Sequence, residues 1–113
     1  MNHPIISSQR FLDQATIDRK AASRGRSFVV RLADLPMRGK RYRVMVDGHH
    51  NFAVAKRLGV EPVFKGPSRR FSRIIQKMGE EKAGNWLANN LTDSDWYFVD
   101  TGEVVADLLG VVQ

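Results

Sequence analysis

A chain of 113 residues, 42% hydrophobic and 27% charged, has the size and composition of one small globular domain. It contains no cysteine, which excludes disulfides, thiol catalysis and cysteine-ligated zinc together. No apolar run approaches the roughly 20 residues of a membrane helix. Met1-Asn2-His3-Pro4-Ile5-Ile6 lacks the charged and apolar regions of a signal peptide, so a cytoplasmic location with no membrane partner is the expectation.

The net charge of +6 is unevenly spread. All 18 basic residues lie at or before Lys82, facing seven acids, for a local balance of +11. Residues 83–113 carry Asp93, Asp95, Asp100, Glu103 and Asp107 and no base, a balance of −5. A basic body with an acidic end points to a polyanionic partner, nucleic acid or nucleotide. It is equally consistent with an acidic end that folds back on the basic part.

Taken in order, residues 1–10 carry no periodic signal and read as flexible. Asp13 to Ser23 favours a helix, with Ile17 and Ala21 four apart on one face, ended by Arg24-Gly25-Arg26. The cluster Arg19, Lys20, Arg24 and Arg26 has the chemistry to grip phosphate, but reads first as a solvated helix end. Phe28–Leu32 alternates as a strand, and Pro36 argues against its continuing as a central one. After a basic turn over Met37–Arg41, Tyr42, Val44 and Val46 mark one face of a second strand, joined to the first by a hairpin or short connection.

The second strand enters Asp47-Gly48-His49-His50, and a helix from about Asn51 to Leu58 follows, with Phe52, Ala55 and Leu58 as its stripe and Gly59 as its stop. Val60–Phe64 reads as a short strand that Pro62 places at an edge or makes irregular at its start. Phe71, Ile74, Ile75 and Met78 then recur at helical spacing, opposite Arg69, Arg70, Arg73 and Lys77. Gly79 breaks this helix, and a second runs from Glu81 to Leu91. Trp96–Val99 and Glu103–Val105 form a terminal hairpin, with a helix over Val104, Val105, Leu108 and Leu109 as the alternative. Trp86, Trp96 and the six phenylalanines are the large pieces available to a core.

The strand–turn–helix at 44–59 is where chemistry concentrates. Gly48 permits a sharp turn, and the helix behind it aims unpaired N–H groups at the same point, a geometry that attracts anions. His49, His50 and Asn51 all have hydrogen-bond donors to offer; Asp47 would repel a phosphate but could hold a metal ion or fix a histidine tautomer. The plain alternative is a structural turn in which His50 or Asn51 caps the helix. Neighbouring histidines seldom aim at one ion and no third ligand is evident, so no zinc site is expected, and no spacing supports a Ser-His-Asp hydrolase.

Asp47-Gly48-His49-His50-Asn51 followed by Phe52-Ala53-Val54-Ala55-Lys56-Arg57-Leu58-Gly59-Val60-Glu61-Pro62-Val63 resembles the phosphate-binding box of the ParB/sulfiredoxin superfamily, in its Asp-Gly-His-His variant. The resemblance covers roughly residues 28–64. It implies a small α/β (α+β) domain, a short mixed sheet packed with helices over residues 1–113, with 65–113 completing the core. It further implies that Gly48, His49, His50 and Asn51 contact the phosphates of a nucleoside triphosphate with Mg²⁺.

The departures are specific. Asn51 stands where the box usually ends in arginine, so the bidentate clamp is missing. The lack of cysteine excludes sulfiredoxin chemistry. The upstream glutamate of the free-serine kinases has no counterpart, the first Glu being Glu61, and no room is left for the helix-turn-helix of partition proteins. The function implied is therefore a stand-alone ParB-like domain, of phage or plasmid type, that binds nucleotide or nucleic-acid phosphate. DNA or RNA would lie on Arg41, Arg43, Arg69, Arg70, Arg73 and Lys77. The residues leave open whether it is an enzyme; if it is, His49 or His50 acts as general acid/base with Asp47 and a divalent metal. The alternative from another class is a non-enzymatic protein-interaction module or inhibitor on the same fold, its nucleotide site decayed.

Overall fold

The computed structural model describes residues 3–22, 27–90 and 94–109. Within these, the chain runs β1 (Ile5–Ser7), α1 (Gln14–Ala21), β2 (Val29–Met37), β3 (Lys40–Asp47), α2 (His49–Leu58), β4 (Val63–Lys65), α3 (Arg69–Met78), α4 (Glu80–Ala88) and β5 (Tyr97–Phe98), then one 3₁₀ turn, Ala106–Leu108. The strands form one mixed sheet in the order β4-β2-β3-β1-β5. This is the expected α/β class.

The sheet is built around the β2–β3 hairpin. Its two-residue turn has Arg38 at φ 52° and Gly39 at φ 85°, the left-handed pair that matches the twist of the flanking strands. Pairing runs from Met37 opposite Lys40 to Leu32 opposite Met45, then slips so that Arg31 faces Asp47 and Val46 is passed over. Such a bulge bends the strand and re-aims the side chains beyond it.

Alternation then sorts the two faces. Ala33, Leu35, Met37, Tyr42 and Val44 face α3, α4, Trp96, Val105 and Leu108. Val30, Leu32 and Met45 face Phe52 of α2. Helix α1 lies on α2 rather than on the sheet, through Ile17, Val54 and Ala55. Residues beyond 65 thus complete the core on one face.

Several expectations are corrected. Residues 5–7 are not flexible: β1 is wholly buried and pairs parallel to β3 and antiparallel to β5. Three residues are too few to show a period, and both of their partners lie far along the chain. Strand β2 continues through Pro36 to Met37, because β4 pairs only with Val29–Arg31 and, among the described residues, no strand needs an N–H from Pro36 on that edge. The space beside Pro36 is taken by α4, where a Cβ on Gly84 would come within 1.8 Å of the Pro36 carbonyl oxygen. Helix α2 starts two residues before Asn51, and β4 begins only after Pro62.

Of the aromatics offered to the core, Trp96 and Phe28 are buried, whereas Trp86 is 51% and Phe11 70% exposed. The terminal hairpin forms, with the Phe98 and Val105 N–H groups donating to the Glu103 and Trp96 carbonyls, and the alternative helix shrinks to the 3₁₀ turn. Both outer helices are shorter than expected: α1 ends at Ala21, before Arg24–Arg26, and α4 ends at Ala88, before Leu91; residues 24–26 and 91 lie outside the described residues.

Candidate functional site

The junction of β3 and α2 depends on one glycine. Gly48 has φ 88°, and a Cβ there would stand 2.5 Å from the Val29 carbonyl oxygen and 2.8 Å from the Val30 Cα. No other residue fits, so the turn lies tight against β2 and α2 starts immediately beneath it. Its N–H donates to Asp47 Oδ1 at 2.8 Å, and its carbonyl accepts the Phe52 N–H at 2.9 Å. No side chain caps α2. The structural role expected as an alternative for His50 and Asn51, capping the helix, is therefore not what they do.

Asn51 Nδ2 donates to the Val29 carbonyl at 2.9 Å, and its Oδ1 accepts from Lys20 Nζ of α1 at 2.7 Å. His50 Nε2 accepts the Asp13 N–H at 3.2 Å, which puts the proton of a neutral ring on Nδ1. His50 thus holds the start of α1, leaving Nδ1 as its donor. Helix α1 is further tied to α2 by the ion pair Arg57–Asp18 at 2.6 Å. The hydrogen bond from Arg57 holds the Asp18 carboxyl below its ordinary range, as the Thr16 hydroxyl does for Asp13.

Two cavities open around this turn. A polar one of about 510 Å³ is lined by Gln9, Lys20, Val29, Arg31 and the run Asp47–Asn51. It gathers all four residues expected to bind phosphate and all three catalytic candidates. An apolar one of about 500 Å³ lies between the sheet, α3 and α4, with Val44, Phe71, Ile74, Leu87 and Trp96 among its walls. Gln9, Arg31, Asp47 and His49 belong to both and form the partition between them. The apolar stripe of α3 explains the second cavity: Phe71, Ile75 and Met78 reach the core, while Ile74 stays 41% exposed at the mouth.

Sequence reasoning missed Gln9 and Arg31, and assigned Lys20 to a solvated helix end. Arg31 is half-buried and anchored by its Nη1 on the Gly66 carbonyl at 3.0 Å. Its signal was a charged residue inside the strand preceding the box; Gln9 lay in a segment with no pattern. Arg24 and Arg26 lie outside the described residues.

The basic residues expected to meet nucleic acid fall into two sets. Arg69, Arg70, Arg73 and Lys77 are exposed on α3, and among the described residues none has a carboxylate within salt-bridge distance. Arg70 also lines the apolar cavity. Arg41 instead pairs with Asp34 and Glu80, each at 2.9 Å, and Arg43 Nε donates to the His3 carbonyl. Arg43 sits opposite Asp34 in the hairpin register, out of step with Tyr42 and Val44, which pack with Ala88 of α4 and Trp96. Arg41 and Arg43 are thus held within the chain, Arg41 at the first residue of α4, whereas the α3 set forms no ion pair among the described residues.

Among the described residues, no group of three or more His, Asp or Glu side chains gathers to hold a metal ion, and no helix is long and apolar enough to cross a membrane. Comparison with protein-family models, with curated proteins and with solved structures returned no match.

Proposed function

We propose that this chain is a small ParB/sulfiredoxin-like domain that binds a nucleotide, its phosphates at Gly48–Asn51 and its base in the apolar cavity. One observation carries the reading: a polar cavity at the start of α2, bearing Lys20, Arg31 and His49, shares a wall with an apolar cavity of matching size. A phosphate is satisfied by N–H donors at a helix start and by cations; a base is satisfied by aliphatic and aromatic walls such as Ile74, Leu87 and Phe71. Mg²⁺ bound by phosphates needs only one or two carboxylates, and Asp47 supplies one at the partition. His49 is the better candidate than His50 for contact with the ligand, because it lines both cavities and His50 only the polar one.

Calorimetric titration with ATP and CTP, each with and without Mg²⁺, tests this. Binding is expected that His49→Ala removes and Ile74→Asp weakens through the base. Absence of heat with every nucleotide refutes it. The exposed arginines of α3 support a second ligand, a nucleic-acid backbone, on a surface next to the apolar cavity.

A protein-interaction module is the competing function, and one observation favours it. Leu58, Val60, Val63 and Phe64 are each at least 40% exposed around β4, whose outer edge pairs with no strand among the described residues. Concentration-dependent association, or a partner blocked by Phe64→Lys with nucleotide binding absent, would favour that function instead.

A further inference from the structure

The geometry points to Lys20 as the cation that neutralises the bound phosphate, with Asn51 as its positioning residue: together they supply from two elements the charge that an arginine at position 51 would supply from one. This rests on the phosphate-binding reading above.

Three observations converge on it. First, the Asn51 amide has only one workable orientation. The Val29 carbonyl can only accept, so it must face Nδ2, and Lys20 can only donate, so it must face Oδ1. The Val29 carbonyl is the same atom that forbids a side chain at Gly48, so the turn, the amide and the lysine share one fixed point. Second, the stem of Lys20 leaves a helix held by the buried Ile17, by the Asp13 N–H on His50 and by Arg57–Asp18. Little chain entropy remains to be lost when its head group meets a ligand. Third, Lys20 is half-buried, lines the polar cavity and, among the described residues, has no carboxylate partner. The oxygen it meets belongs to a neutral amide, which takes one of three protons and does not neutralise the charge; among the described residues Asp47 is the one carboxylate that lines the same cavity, and it is not within ion-pair distance of Lys20. A half-buried ammonium so placed favours an anion in the cavity.

If Lys20 were only a staple between α1 and α2, its removal would lower stability and leave affinity alone. The test is therefore titration of Lys20→Met and Lys20→Gln with Mg-ATP, Mg-CTP and inorganic pyrophosphate, beside thermal unfolding of each variant. The expected result is affinity reduced about tenfold or more for all three probes, about 1.4 kcal/mol, with unfolding midpoints within a few degrees of the parent. Adding Asn51→Arg to Lys20→Met is expected to restore most of the affinity. Lys20→Gln, which keeps a donor for Asn51 without the charge, guards against a folding artefact in the methionine variant.

Parental affinity in a folded Lys20→Met or Lys20→Gln, with binding still abolished by His49→Ala, overturns the assignment and leaves the nucleotide reading standing. Failure of Asn51→Arg to rescue a folded Lys20→Met overturns the equivalence of the two arrangements. If the parent binds none of the probes, both fall.

Discussion

At its tip the β2–β3 hairpin carries Arg38, Gly39, Lys40 and Arg41; at its open end, where β3 runs into α2, it carries Arg31, Asp47, Gly48 and His49. Each end thus combines arginine with a glycine at positive φ. At the tip the cations are consumed internally. Arg38 donates to the Asp107 and Leu109 carbonyls, Lys40 pairs with Asp107, and Arg41 pairs with Asp34 and Glu80. Of the acidic end, Asp107 folds back on a basic residue here, while Asp95, Asp100 and Glu103 form no ion pair among the described residues. At the open end, Lys20 and Arg31 are held by neutral oxygens and line a cavity. Charge that is paired within the chain stabilises the fold a little; charge anchored by neutral groups stays available to a ligand. The net charge of the chain does not distinguish these uses.

The sharpest test of this contrast sets one glycine against the other. A Cβ on Gly39 would meet nothing within 4 Å, whereas one on Gly48 would run into the Val29 and Val30 backbone. Gly39→Ala should cost about 1 kcal/mol in urea unfolding. Gly48→Ala should cost about 3 kcal/mol or prevent folding, because backbone strain and a main-chain collision add. Equal costs would mean that the turn at Gly48 is not seated on β2.

Ligand binding should divide the same way. His49→Ala is expected to reduce nucleotide affinity at least about tenfold, while Arg41→Ala at the tip leaves it unchanged in the same titration. For nucleic acid, replacing Arg69, Arg70 and Arg73 by Gln should flatten the dependence of log affinity on log salt by up to about 3. The pair Arg41→Gln and Arg43→Gln, whose guanidinium groups are held within the chain, should leave that slope in place; a matching loss from both sets would make them one binding surface.

The smallest effect is acid sensitivity at the tip. Burial alone would raise the Asp34 carboxyl, but hydrogen bonds from His3 and Arg41 outweigh it and hold the group below the ordinary aspartate value of about 3.9. A depressed value means that the contribution is present at neutral pH and is lost as pH falls below about 4 through the folded-state value. Asp34 is close to half-exposed, so the difference between the parent and Asp34→Asn across that range should be a few tenths of a kcal/mol. Urea midpoints at pH 6 and pH 3 would measure it.

What could be read from the sequence follows the range of each signal. Helices α2 and α3 were legible because their apolar spacing and their stops at Gly59 and Gly79 lie within a dozen residues. The hairpin was legible from alternation in Tyr42–Val46, although Pro36 misdirected it: the rule against proline applies only where a neighbouring strand needs the N–H. The polar turn was found, since glycine and donors are adjacent in the chain. Lys20, Arg31 and Gln9 were not, because their membership depends on α1 lying over α2 and on a bulge at Val46, neither of which has a local sequence pattern. The α3 arginines could be placed on a solvated face by spacing alone, whereas the pairing of Arg41 with Glu80 joins residues 39 apart.

Strand β1 carries a further consequence for how this molecule comes to be. It is seated between β3 and β5, with Ile6 opposite both Val44 and Phe98. The hairpin β2–β3 can form from neighbours in sequence, whereas β1 comes to its place beside β3 from about 38 residues away and β5 to its place beside β1 from much further. The β1–β5 pairing closes a loop of roughly ninety residues, a contact whose entropic cost falls late and slows assembly. Gln9 follows β1, and its carbonyl accepts the Tyr97 hydroxyl of β5 at 3.1 Å, so the wall between the two cavities draws on segments 88 residues apart in the chain.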